Sequence, residues 1–437
     1  MTRASFSDLL ASATALLFIV YLTRNVAAIG SGGTLNILLG LIFFLAICFF
    51  GSSIFKGTVF VRLELFAIIL FLIWFFYRVQ TDTRDSELLW SLSFGTTGGL
   101  ITFYFLGIII AGCLGIEPAS RSISTAKLVF ALLTACFIYL WLDFLPRIRA
   151  DIFYLDNIKG EYQRSGNFLS IMFILYSFCF ITLFTNRSLL WRSLQQLPML
   201  LLYAIVSCSV VLLCQLIGSN SATGMTLGVS LITALIVIAW PQLNSKVSGE
   251  KGQVIEDANL PLVLLRIIVF LFWCAYVLTL SLMLLELATG LSPLNLNLFN
   301  FGAGGIPSLT SRLQLFDYSG LQQLSYAPIF GNFRVGEILT GEIGRHIHSF
   351  FPNIFSKLGG LGLLIMISIV IITGCRQILD LHAGSTSSSS YKEKAQSGFK
   401  LFGFLYVLFF ANLSTDVSWS VFWFSLGFMG QAIIIKN

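Results

Sequence analysis

The chain of 437 residues carries 57% hydrophobic and only 11% charged side chains, with a mean hydropathy of +0.88 and a formal net charge of +6. Soluble globular domains hold roughly a quarter charged residues, so this composition excludes one and describes an integral membrane protein. Backbone polar groups cannot stay unpaired in hydrocarbon, and the apolar runs are continuous rather than alternating, which selects helices over a barrel.

Windows of about twenty residues predict helical spans over 8–29, 34–54, 58–77, 93–115, 126–146, 168–186, 197–217, 225–240, 262–288, 353–375, 401–414 and 416–435. The expected fold is therefore all-α: one polytopic membrane helix bundle over residues 1–437 with about twelve transmembrane helices. The first apolar stretch is long and lacks a small-residue cleavage site, so it reads as a span and not as a cleavable signal. Gly95, Gly98 and Gly99 permit a break in the fourth span, and Ser414-Thr415-Asp416 turns the last two into a hairpin. Two connections stand out by polarity. Residues 289–352 form a long loop, and 376–400 form a second, holding the tract Ser385 to Ser390 and Tyr391-Lys-Glu-Lys394, which reads as a flexible linker.

Lys and Arg in the short loops set the orientation. With a cytoplasmic amino terminus, Arg121, Lys127, Arg187, Arg192, Lys246 and Lys251 fall inside together with the 376–400 loop, and the 289–352 loop falls outside. Net positive charge then reports topology rather than nucleic-acid binding. The eight cysteines all fall within spans or at their ends, where they act as small apolar packing residues, and none sits in an outer loop that would oxidise to a disulfide.

Three groups on the outer face carry chemistry. The first is Gly341-Glu-Ile-Gly-Arg-His-Ile-His-Ser349, which sets Arg345, His346 and His348 at the mouth of a span. Histidine is the side chain whose ordinary pKa lets it take a proton near neutrality, so a general base is one reading and an inert interfacial pair another. A metal would need third and fourth ligands, and only Glu337 and Glu342 are near in sequence, so none is expected. The second group is Arg147, Arg149, Lys159 and Arg164, set against Asp151, Asp156 and Glu161. Guanidinium forks suit phosphate or diphosphate oxygens, although the same charges serve equally as solvated loop groups. The third is Arg312 and Arg334 in the long loop, open to the same two readings.

The order of residues in that loop is informative. Ser311-Arg312 is followed by Phe316, by Pro328-Ile-Phe-Gly331-Asn332, and by His348-Ser349 with Gly359 and Gly362 in the next helix. Leu339-Thr-Gly341-Glu and Gly344 precede the histidine, and Tyr162-Gln-Arg164-Ser-Gly-Asn167 precedes an earlier span. This pattern resembles the O-antigen polymerase and ligase superfamily, membrane glycosyltransferases acting on undecaprenyl-diphosphate-linked saccharides, over roughly residues 305–365. It departs from that family's pattern at Phe316, where Trp is usual, at Phe333, where a second Gly is frequent, and at Ser219 to Gly224, which lacks a common arginine.

The resemblance implies a protein of the bacterial inner membrane with its site facing the periplasm, needing no cofactor. It implies an O-antigen polymerase, which joins lipid-linked repeat units at the outer leaflet with inversion at the anomeric carbon. On that reading His348 takes the proton of the attacking sugar hydroxyl, while Arg312 and Arg345 stabilise the departing diphosphate. Arg147, Arg149, Arg164, Arg334 and His346 contact the second lipid diphosphate or the saccharide, and a chain-length regulator is an expected protein partner. Two alternatives stay open. One is a ligase passing finished polysaccharide to lipid A-core. The other is a flippase, disfavoured because charges such as Glu64, Asp143 and Arg266 stand near predicted helix ends, where they can snorkel.

Overall fold

Long apolar runs fold as helices here because a helix satisfies every internal N–H and C=O within its own segment. The computed structural model describes residues 3–27, 59–82, 96–115, 119–148, 155, 162–185, 192–238, 327–335, 349–386 and 391–430. These contain α1 (Arg3–Ala27), α2 (Val59–Asp82), α3 (Thr97–Gly115), α4 (Ala119–Phe144) with a 3-10 turn at Leu145–Arg147, α5 (Tyr162–Phe184), α6 (Arg192–Leu216), α7 (Asn220–Ile238), α8 (Phe350–Thr386), α9 (Tyr391–Ser414) and α10 (Ser420–Gly430). Each occupies a place where a span is predicted. The predicted spans 34–54 and 262–288 lie outside the described residues, as does most of the 289–352 loop.

Six of the helices are long and apolar enough to cross a membrane, and shorter apolar helices cover Ala13–Ala27, Thr97–Gly112 and Ser420–Gly430. Their exteriors are apolar too. On α2, Phe66, Ile69, Leu70, Ile73 and Tyr77 are exposed at helical spacing, and on α8 so are Leu364, Ile367, Ile371 and Ile378. In water such rows would be liabilities; in lipid they are the solvated surface, as expected of a helical membrane protein.

At the centre stands α5, buried on every side from Phe168 to Phe184. It packs against α1, α4, α6, α7, α9 and α10. Tyr176 stacks on Phe130 at 4.5 Å and on Tyr203 at 5.8 Å, and Tyr203 stacks on Phe180 at 4.3 Å, so aromatic rings fill the space around it. The closest helix pair is α3 with α10. A Cβ on Gly107 would overlap the carbonyl oxygen of Phe424, and one on Gly427 would overlap that of Tyr104. Small residues let two helix backbones approach where no hydrophobic force drives them together.

Helix occupies most of the 376–400 segment, since α8 continues to Thr386 and α9 restarts at Tyr391. The Ser-rich residues 387–390 between them lie outside the described residues.

Candidate functional site

The site is built on an interruption in α8. At Gly359 the backbone turns to φ 70° and ψ −172°, which breaks the helix into Phe350–Leu358 and a longer continuation. A break strands the N–H groups that open the second half, and within a membrane they need partners. The Pro-x-x-Gly turn supplies them. Gly360 N–H donates to Pro328 O at 2.8 Å and Leu361 N–H to Ile329 O at 3.2 Å, while Asn332 N–H reaches Ser356 O at 3.0 Å. Gly331, at φ 72°, lies directly against Gly359. The two glycine-bearing motifs of the sequence pattern are thus one interlocked structure.

A clamp from α2 holds the turn in place. Trp74 Nε1 donates to Leu358 O at 2.9 Å, and Arg78 Nη2 donates to Gly331 O at 2.8 Å. Asp82 accepts from Arg78 at 2.7 Å and from Phe333 N–H at 3.0 Å. The Phe333 ring meets Phe75 edge-on at 5.1 Å, and Phe330 packs on Trp74 at 5.8 Å. Beyond the ring, Arg334 N–H donates to Asn332 Oδ1 at 2.8 Å, an Asx turn that closes the docked segment. Asp82→Asn is expected to loosen the turn by about 1–3 kcal/mol, because a charge-assisted acceptor shared by two donors is lost. Faster deuterium exchange at the Gly331 and Phe333 amides would register it, and unchanged exchange would mean that the backbone bonds alone hold the turn.

The start of α8 is tied as firmly. Ser349 Oγ donates to Asn412 O at 2.7 Å, and Phe351 N–H donates to Asn412 Oδ1 at 3.2 Å. Asn353 Oδ1 accepts from Val417 N–H at 3.3 Å, and Trp419 Nε1 donates to Asn167 Oδ1 at 2.8 Å. The residue following His348 is therefore anchored to the α9–α10 hairpin, and that hairpin to Asn167 in the second turn of α5, one turn beyond Arg164.

Arg164 and Arg147 converge on the last turn of α1. Arg147 Nη1 donates to Ala27 O at 3.2 Å and to Asp143 Oδ2 at 2.9 Å, and its guanidinium lies 5.5 Å from the Phe144 ring centre. Arg164 Nη2 donates to Asn25 Oδ1 at 3.0 Å and stacks 5.7 Å over Phe168. Both cations face the negative end of a helix dipole. The structure thus brings together two arginines of the 147–164 group, and it gives them intramolecular partners. Nearby, the turn Gly218-Ser219 opens α7, with Ser219 Oγ accepting from Ala222 N–H at 3.3 Å as its N-cap. Arg149, Arg312, Arg345, His346 and His348 lie outside the described residues.

Sequence reasoning missed two features. Lys357, in the short half of α8, stands 5.6 Å over the Phe333 ring. A charge within an otherwise apolar run was the available signal. The second is a correction. Glu64 does not snorkel: it is buried, and its Oε2 pairs with Arg376 Nη1 at 2.5 Å, with Tyr104 Oη 3.3 Å from Oε1. Antiparallel packing of α2 and α8 buries both partners between helices, and no local signal links positions so far apart in sequence.

Among the described residues no group of three or more His, Cys, Asp or Glu is placed to hold a metal ion. Compared with known proteins, the chain matches no family model and no curated protein.

Proposed function

We propose that this protein is a membrane glycosyltransferase of the O-antigen polymerase kind, joining undecaprenyl-diphosphate-linked saccharide units on the periplasmic side of a bacterial inner membrane. The observation that carries the reading is the docking of the Pro328-to-Gly331 turn on the α8 break at Gly359, eleven residues after His348. That separated motifs of the pattern meet in one structure supports reading them as a unit. Ser349, the next residue after His348 in the sequence, is anchored to Asn412 O.

In this mechanism His348 accepts the proton as the acceptor sugar hydroxyl attacks the anomeric carbon. The bond from that carbon to the diphosphate oxygen breaks, and the electron pair leaves with the diphosphate. Arg312 and Arg345 stabilise the anion, a task that guanidinium groups perform by paired hydrogen bonds. Arg147, Arg149, Arg164, Arg334 and His346 serve the second lipid diphosphate and the saccharide. His348→Ala is expected to lower polymerisation by about 10²–10⁴-fold at equal protein level. Full activity of that variant would remove the base assignment.

The test of the function is the lipopolysaccharide pattern of a strain lacking the gene, beside the parent and a complemented strain. Core bearing a single repeat unit is the expected result. Core without any repeat, while lipid-linked polymer accumulates, would make the protein a ligase, and an unchanged ladder would overturn both. A transporter of lipid-linked oligosaccharide is the second reading, favoured by the buried Glu64–Arg376 pair, since paired ionisable residues inside membranes mark substrate and proton paths.

A further inference from the structure

We infer that Lys357 is the cation of an anion-binding site at the mouth of α8, and that it takes the phosphate or diphosphate group of a lipid-linked ligand. The inference rests on the glycosyltransferase reading for the identity of the ligand, and on the geometry for the site itself.

Lys357 is half-buried, seven residues below the start of α8, which sets its Cα about 10 Å down the helix. Its ammonium is held over the face of Phe333 at 5.6 Å, and that ring is itself fixed by Phe75 and by the backbone bond to Asp82. Among the described residues Lys357 makes no hydrogen bond and no ion pair. Asp416 is the carboxylate whose charge reaches it, yet Asp416 Oδ1 already accepts from Ser418 N–H at 2.9 Å and Ser418 Oγ at 2.6 Å. Asp82, which holds the Phe333 N–H, is committed to Arg78. A half-buried cation given a ring face and a carboxylate already shared with Ser418 is only partly compensated, because the ring quadrupole returns less than the hydration it displaces. Leucine or methionine would fill the same space without that penalty. The arrangement makes sense when an anion completes it.

The depth selects the anion. A long lysine stem two turns from a helix mouth is of the length that carries an ammonium toward the level of lipid phosphates. A saccharide alone offers no charge to it, whereas a lipid-linked diphosphate presents its anion at this height with its tail in the bilayer. Phe333 is followed directly by Arg334, so a second cation belongs to the same turn.

The experiment uses the full chain in nanodiscs and measures binding of undecaprenyl diphosphate to the wild type, Lys357→Met and Lys357→Arg. Lys357→Met is expected to weaken binding about tenfold or more, as for loss of a charge-assisted hydrogen bond. Lys357→Arg should retain most of it, and both variants should melt with the wild type. Equal affinity in a folded Lys357→Met protein would overturn the proposal. Competition identifies the source: displacement by phosphatidylglycerol at the same concentration would make this a general headgroup site and overturn the lipid-diphosphate assignment, and displacement by inorganic diphosphate alone would remove the role of the tail. Undecaprenol, which lacks the phosphates, should not compete. Binding is read without glycosyl transfer. A Lys357-dependent affinity in a protein whose deletion leaves the lipopolysaccharide ladder unchanged would keep the anion site and sink only the polymerase reading.

Discussion

Glu64→Leu and Arg376→Met are each expected to destabilise the protein by roughly 3–5 kcal/mol, because each leaves the other charge buried without its partner. The pair spans α2 and α8, and both side chains are almost wholly enclosed, at 2% and 6% exposure. The neighbourhood offers only partial replacement: Tyr104 supplies one hydrogen bond to Glu64, the Gln377 amide beside Arg376 is engaged with Met429 O at 3.0 Å, and Asp380, one turn on, reaches Arg376 only through its charge. Thermal unfolding of the purified protein in one detergent would show the loss, and single variants melting with the wild type would mean that the pair is hydrated. The double variant is the more informative. Apolar replacement of both members of a buried pair is often neutral for stability, so its melting point should recover. Retained activity in the double variant would make the pair a structural lock. A folded double variant without activity would move it into the functional machinery.

Gly359→Ala is expected to undock the Pro-x-x-Gly turn and remove activity while leaving the helix bundle folded. Two penalties combine. A backbone at φ 70° is strained for any residue with a Cβ, and the added carbon would overlap the carbonyl oxygen of Ile329 and press on Gly331 N. Together they amount to about 2–4 kcal/mol against the docked state. The loss falls on the turn, since it is bound by few hydrogen bonds and two aromatic contacts, whereas α8 is held along its length by α2 and α9. Protease sensitivity near residues 327–335 in membrane vesicles measures it. Gly374→Ala in the same helix is the control, because its Cβ meets nothing within 4 Å and alanine favours a helix by about 1 kcal/mol. Equal protection of the turn in both variants would remove the docked turn from the account of the site.

Much of the bundle was legible because the signal for a membrane helix is local. A run such as Leu100 to Leu114 declares itself by composition, and its neighbours in space need not be known. Helix ends were less legible. Span 126–146 was predicted where α4 begins at Ala119, and 353–375 where α8 runs on to Thr386, because helices continue beyond the apolar window wherever their polar ends find partners. The glycines at 331 and 359 were singled out by spacing, but spacing does not say that one occupies the break made by the other.

What the sequence by itself determined is the class of the molecule: charge is too scarce for a soluble chain, and the apolar runs are too long and continuous for anything except helices. It also marked Arg147, Arg164, Arg334 and the turn at Pro328 as places to examine. Only the tertiary structure decided that Arg147 and Arg164 meet at the end of α1, that Arg78 and Asp82 clamp the turn, that Lys357 stands over Phe333, and that Glu64 pairs with Arg376. The physical reason is range. Hydropathy acts on consecutive residues and is written along the chain, whereas hydrogen bonds and ion pairs act over about 3 Å between groups that only packing brings together.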